Sequence, residues 1–204
     1  HRSQVVVMGA PMVMKSAAEY YDMKSMLWPI VTGALDRLRD EYDVVVVEGA
    51  GSPAEINLKE QEIVNMRVAK YADAAVLLVG DIERGGVFAS LVGTMALLDE
   101  EEVALVKGFL INKFRGDPGL LTSGLEMLEE RTGVPVLGVL PYFTDIQIPQ
   151  EDSLGIDVGM ESAGTPVLDI AVMRLPHMSN FDDFDPLRVE PGVSVRYVAD
   201  AESL

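Results

Sequence analysis

Residues 72–86 read ADAAVLLVGDIERGG. An apolar run, Ala74 to Val79, leads into an acid, Asp81, and then into two glycines, Gly85 and Gly86. The run is near-continuous rather than alternating, which suits a strand buried on both faces, as in a parallel sheet. Three more segments share this form: YDVVVVEG at 42–49, VKGFLINK at 106–113 and VPVLGVLPYF at 134–143. Helical patterns lie between them. LWPIVTGALDRLRDEY places Ile30, Ala34, Leu35 and Leu38 on one face, and NLKEQEIVNMRVAKYA, GVFASLVGTMALL and GLLTSGLEMLEERTG can serve as crossovers. A repeat of about 30 residues is the size of one strand-helix-strand unit. The pattern predicts an α/β fold with a doubly wound, mostly parallel sheet. QVVVM at 4–8 is a short strand or a lead-in to one.

Proline and glycine thicken after Pro141, which reads as a linker or an irregular surface segment. VLDIAVMRL from Val167 and GVSVRYVAD from Gly192 read as two further strands. The expected division is residues 1–160 for a first domain and 161–204 for the start of a second, each incomplete.

Bulk properties narrow the function classes. At 204 residues and 49% hydrophobic content the chain has enough apolar mass for a core, and disorder is not expected. No apolar run approaches the ~20 residues of a membrane helix. HRSQVVVMGAP lacks the features of a secretory signal and an initiating Met. With no cysteine, the chain has neither disulfides nor a thiol nucleophile of its own, and a cytoplasmic location is the expectation. A net charge of −17, from 33 acids against 16 bases, argues against nucleic acid and anionic membranes as partners. It suits a well-hydrated acidic surface, or a saline habitat.

In an open parallel sheet, ligands bind beyond the carboxyl ends of the strands. Polar residues gather at that edge: Glu48-Gly49-Ala50-Gly51 after the first long run, Asp81 to Gly86 after the second, Asn112 to Asp117 after the third. Glu48 has the hard oxygens that Mg²⁺ prefers. Gly49 and Gly51 let backbone approach a ligand. Gly85 and Gly86 precede a predicted helix whose first amides favour an anion, and Arg84 can grip phosphate or carboxylate in two-pronged fashion. Asn112 offers a donor and an acceptor to an adenine edge. Lys113 and Arg115 are local positive charges in an acidic chain. Each cluster also has a plainer reading. Glu48 is then a solvated loop acid, RGG a helix-entry turn, and NKFRGD an exposed turn with Asp117 as a cap.

No G-x-x-x-x-G-K-[ST] occurs in the chain, and GAPMVMKS at 9–16 lacks the glycine before Lys15. At least one strand-loop-helix unit is therefore expected on the N-terminal side of these residues.

EGAGSPAEINL, DIERGGVFASL, INKFRGD and PHMSNFDDFDPL closely resemble the cobyric acid synthase family of cobalamin biosynthesis, across essentially the whole chain. The resemblance implies a P-loop NTPase fold of the dethiobiotin synthetase-like type, followed by the first strands of a class I glutamine amidotransferase-like domain. It implies ATP-dependent amidation of the peripheral carboxylates of a corrin a,c-diamide through acyl phosphates. ATP, Mg²⁺, the corrinoid and glutamine are the implied cofactors and partners. Glu48 matches the acid thought to help hold Mg²⁺, with Asp81 a second metal candidate. Asn112 matches an adenine contact, and Asp81 and Arg84 lie in the family's D-I-D-R-G-G loop, here with Glu83 for Asp. GSPAEINL, with Glu55 and Asn57, falls where the family lines its nucleotide and corrinoid cleft, and Gly49, Gly51, Gly85 and Gly86 are the further cofactor-binding candidates. Lys113 and Arg84 are the catalytic candidates. The family's GRPVGNMSAREY departs here to GAPMVMKSAAEY, and its PRISNFTDFDPL to one with His177 and Asp182. His177 reads as structural or surface, and His1 has no evident role.

The chemistry suits the loops, because bringing a carboxylate to a phosphate requires positive charge and a dry site. The chain by itself is expected to be inactive. Alternatives are a cobyrinate a,c-diamide synthase or dethiobiotin synthetase-like ligase, and a non-catalytic nucleotide-sensing or interaction domain.

Overall fold

A computed structural model describes residues 3–15, 17–143, 166–175, 178 and 181–200. The chain groups into two compact units, His1–Phe143 and Thr144–Leu204. The expected boundary at residue 160 lies outside the described residues, as do His1 and His177.

The first unit opens with an antiparallel hairpin, β1 (Ser3–Val7) and β2 (Ala10–Lys15). Met8 and Gly9 turn it, both at positive φ, the backbone that two-residue hairpin turns require. GAPMVMK therefore supplies a strand rather than a phosphate loop. A 25-residue helix, α1 (Ala17–Glu41), follows, with Pro29 inside it. Its inner contacts are Leu27 and Leu35, both buried, whereas Ile30 and Leu38, expected on the same covered face, are exposed.

The sheet is a parallel three-stranded one in the order β3 (Val76–Asp81), β4 (Val106–Phe114), β5 (Val136–Pro141). Between the strands run α3 (Val87–Leu97), α4 (Glu100–Leu105) and α5 (Thr122–Thr132); a short α2 (Met66–Ala72) precedes them. The core joins Met66 and Ala69 of α2, Leu78 of β3, Leu91 and Met95 of α3, and Phe109, Ile111 and Leu128, the last three with no exposed surface. Gly80 lets α3 lie close on β3: a methyl there would stand 2.5 Å from Val87 Cγ2 and 3.1 Å from Leu91 Cδ1. α4 was not among the expected helices. Its signal is the D-x-x-E box, in which the Asp99 side chain accepts from Glu102 N–H and the Glu102 side chain accepts from Asp99 N–H.

Three further expectations fail. The run Val44–Val47 forms no strand: Val44, Val46 and Val47 are 78%, 91% and 52% exposed, and no ladder includes them among the described residues. Apolarity marks a segment that wants burial, but a strand exists only where a neighbour takes up its N–H and C=O groups. Secondly, β3 is not covered on both faces. Leu78 and Gly80 are buried while Leu77 and Val79 are exposed, because α3 and α5 lie on one side. Thirdly, the crossover expected over 57–72 is not one continuous helix: a turn of 3-10 helix at Lys59–Gln61 and a break at 62–65 precede α2.

In the second unit, β6 (Leu168–Met173) and β7 (Val193–Val198) pair in parallel, as the two late apolar runs predict. A single helical turn, α6 (Asp185–Arg188), lies between them in sequence. Phe184 meets Tyr197 edge-on at 6.2 Å, and Arg196 bridges to Asp169 at 2.9 Å. Among the described residues no helix is long and apolar enough to cross a membrane.

Candidate functional site

The parallel register sets Asp81 beside Asn112 at the carboxyl ends of β3 and β4. Everything at this rim follows from that pairing. Asp81 Oδ1 accepts from Glu83 N–H at 3.0 Å, which starts the 3-10 turn Ile82–Arg84. Its other oxygen receives Lys113 Nζ at 2.9 Å, with Arg84 Nε 3.9 Å away. Lys113 sits at φ +61°, a left-handed conformation that costs a non-glycine residue about 1–2 kcal/mol. Asn112 Oδ1 accepts from Lys113 N–H at 2.9 Å and braces this bend. The bend lies within β4, where its register to β5 shifts between Ile111 and Phe114, and the Lys113 ammonium meets Asp81 beside it. The Lys113 hydrogen bond, first, holds the Asp81 carboxyl below its ordinary range; burial opposes it, and the Glu83 amide adds a lesser downward pull.

One residue further, Arg115 bridges to Glu83 at 3.0 Å and lies 3.5 Å over the ring of Tyr142, just past β5. All three strand ends thus contribute to one rim. Gly85 and Gly86, at φ +72° and +64°, turn the chain from this rim into α3, whose first residue is Val87.

The remaining candidates form a second group, in the loop that follows Val47. Glu48 is exposed and lines an apolar cavity of about 610 Å³ with Val46, Ile63 and Val68. Gly51 and Glu55 line another cavity of about 490 Å³, with Lys59, Asn65, Arg67 and Lys70. Asn57, two residues after Glu55, is exposed. The loop is pinned at one point: Asn65 Oδ1 accepts from Ala50 N–H at 3.0 Å and Asn65 Nδ2 donates to Ala50 O at 2.9 Å. Gly49 does not open space for a ligand, as its sequence context suggests. The place its Cβ would take is filled by the Asn65 amide, with Asn65 Cγ 3.2 Å away.

Beneath this loop Glu102, 2% exposed, is met by Lys59 at 2.5 Å and Lys70 at 3.6 Å. Glu102 raises the Lys59 pKa, chiefly by their hydrogen bond. Asp99 is drawn below its ordinary range, first by the Glu102 amide. Asn65, Glu62 and Glu102 were not among the sequence candidates; only the box at 99–102 carried a local signal.

The donor set fits a nucleotide with a hard cation in part. Glu48 presents an exposed carboxylate of the type Mg²⁺ takes. Asp81, by contrast, has one oxygen on Glu83 N–H and the other on Lys113, so a cation there would have to displace the lysine. No group of three or more His, Asp or Glu side chains suited to a metal occurs among the described residues.

An AAA domain model matches residues 4–150. The cobyric acid synthase of Chloroflexus aggregans is 53% identical over 201 residues, covering 97% of this chain and 40% of the relative. That of Sorangium cellulosum is 57% identical over 199 residues, covering 97% and 38%. That of Roseiflexus castenholzii is 52% identical over 203 residues, covering 100% and 41%. The chain therefore spans about two-fifths of the length of these relatives. No solved structure matches it. With an α/β fold, a parallel sheet and well over half of its residues under that model, the chain belongs to the AAA domain family.

Proposed function

We infer that the chain is the ATP-binding part of a glutamine-dependent cobyric acid synthase, an amide ligase of cobalamin biosynthesis. Its fold is then the dethiobiotin synthetase-like variety of P-loop NTPase. Residues 161–204, including the parallel pair β6 and β7, begin a class I glutamine amidotransferase-like domain. The observation that carries this reading is the rim itself: Asp81, Arg84, Lys113 and Arg115 converge at the carboxyl edge of a parallel sheet, in a chain of net charge −17. Relatives named cobyric acid synthase align with 97% or more of the chain.

Mg²⁺-ATP, when bound, would supply the phosphoryl group that turns a corrin a,c-diamide carboxylate into an acyl phosphate, releasing ADP; ammonia from glutamine would then attack the acyl carbon and displace inorganic phosphate to leave the amide. Lys113 and Arg84 set positive charge where two anions must meet, and Asp81 holds Lys113 in place until substrate competes for it. Asn112 faces the base, and the amides after Gly85 and Gly86 face phosphate. Glu48 takes the cation, with Asp81 the less suited alternative. Gly51, Glu55 and Asn57 shape the corrinoid side of the cleft, and Gly49, a candidate beside them, seats the Asn65 amide. Having no cysteine, these residues contain no thiolate to attack glutamine, and the 204 residues alone turn nothing over. Cytoplasmic location and the absence of nucleic-acid or membrane partners belong to the same reading.

The test is calorimetric titration of Mg²⁺-ATP into this chain and into the polypeptide at the full length of its relatives. Binding by the longer polypeptide, weakened by Asn112→Ala and Glu48→Ala, is the expected result. Silence of the longer polypeptide would overturn the ligase reading and favour a non-catalytic interaction domain.

A further inference from the structure

We propose that Arg115, laid on the Tyr142 ring, is the flat platform on which the purine base of the nucleotide stacks. This rests on the nucleotide-binding part of the ligase reading, in which Asn112 faces the base.

Three residues from three strand ends build the platform. Arg115 follows β4, and its guanidinium carbon lies 3.5 Å from the centre of the Tyr142 ring, just past β5. Glu83, in the turn after β3, accepts from Arg115 Nε at 3.1 Å and Nη2 at 3.0 Å on one oxygen. Tyr142 is held in turn by its own N–H, which donates to Phe114 O at 2.8 Å. Ring and guanidinium therefore stand on neighbouring, hydrogen-bonded backbone. An arginine loses much rotamer freedom when a ligand fixes it. Here the ion pair and the ring have fixed it beforehand, so a ligand meets a preorganised surface.

What the arrangement leaves open decides what it can bind. An arginine grips phosphate or carboxylate through a pair of parallel N–H groups. On Arg115 the Nε–Nη2 edge is occupied by Glu83, whose carboxylate also offsets the charge. The flat face is a different matter. One side of the guanidinium lies against Tyr142, yet the side chain is 62% exposed, which leaves the other side to solvent. A partly neutralised planar cation backed by an aromatic ring suits a planar, uncharged, electron-rich partner. Nucleobases stack on guanidinium planes and aromatic rings for this reason. The neighbouring amide suits the same partner. Asn112 Oδ1 is taken by Lys113 N–H, while Asn112 Nδ2 makes no hydrogen bond among the described residues. It leaves a donor at the same strand end for a ring nitrogen. Asn112 thus reads an edge, and Arg115 supplies stacking area.

The experiment titrates the full-length polypeptide by calorimetry with Mg²⁺-ATP and with Mg²⁺-tripolyphosphate, the phosphate chain without a base. Arg115→Met should weaken ATP binding about tenfold, the usual loss for one stacked base, and leave tripolyphosphate binding unchanged. Arg115→Lys keeps the charge without the plane and should behave as Arg115→Met does. Tyr142→Phe keeps the ring and should bind ATP as the parent does, whereas Tyr142→Leu should lose part of the affinity. All four changes fall on exposed side chains, so the fold is expected to survive them. Parent-like ATP affinity in Arg115→Lys would show that charge, not the plane, matters, and would overturn the platform. An equal loss for ATP and tripolyphosphate in Arg115→Met would do the same, by placing Arg115 on phosphate. If the parent binds ATP and Arg115→Met is unaffected, the platform is overturned and the ligase reading survives. If the parent binds no ATP, both fail together.

Discussion

Lys113 Nζ lies 2.9 Å from Asp81 Oδ2, across the ends of two adjacent parallel strands, and Lys113 makes this contact from a left-handed backbone. The pair links fold to chemistry: β-sheet register sets Asp81 beside Asn112, the residue before Lys113, and the left-handed bend at Lys113 accompanies the contact. Both are partly exposed, so the pair contributes at most about 1 kcal/mol to stability. Its worth lies in placing a charge.

That small contribution has a definite pH signature. Asp81 is depressed in the folded state, so its stabilisation is complete above the ordinary carboxylate range, about 3.9, and is lost as pH falls through the lower folded value. Urea midpoints of the parent and Lys113→Met should differ near neutrality and converge on acidification below that range. A difference that grows in acid would contradict the assignment.

The bend makes a separate prediction. Lys113→Ala and Lys113→Gly both remove the ion pair, but alanine keeps the left-handed strain and glycine relieves it. Lys113→Gly should be the more stable of the two by about 1 kcal/mol, measured by denaturant unfolding. Nucleotide affinity should fall in both.

Gly80→Ala should cost about 1–3 kcal/mol, because its methyl would press on Val87 and Leu91 of α3. A Gly80→Ala, Val87→Ala double variant should recover part of this, and thermal melts will show whether it does.

Phe109 and Leu128 have no exposed surface. Phe109→Ala should lose about 3–5 kcal/mol and Leu128→Ala about 2–5 kcal/mol. Losses below about 1 kcal/mol in both would show that the core is packed otherwise.

Glu102→Gln keeps an oxygen for Asp99 N–H but gives up the ion pairs to Lys59 and Lys70, whereas Glu102→Ala loses all three. The alanine variant should be the less stable, by about 1 kcal/mol relative to glutamine, as expected for loss of a cap. Equal urea midpoints would mean that the capping box contributes nothing.

The sequence by itself determined the parallel strands and the rim. Near-continuous apolar runs at 76–81, 106–114 and 136–141 each end in polar residues, and because all parallel strands point one way, those polar residues share an edge. α3, α5 and the two late strands were equally legible from local pattern, whereas of the hairpin only its first strand, QVVVM, had a signal. Only the tertiary structure decided the fate of Val44–Val47, whose apolarity is the same as that of β3 but which has no ladder among the described residues. It also decided that one face of β3 stays exposed, that Lys113 turns back onto Asp81, and that Asn65 serves Ala50 rather than its own helix. The physical reason is common to all of these. Apolar pattern and turn chemistry are properties of neighbours along the chain, while a ladder partner, an ion-pair partner and an amide clamp come from residues 15 or 32 positions away in sequence, and only folding brings those together.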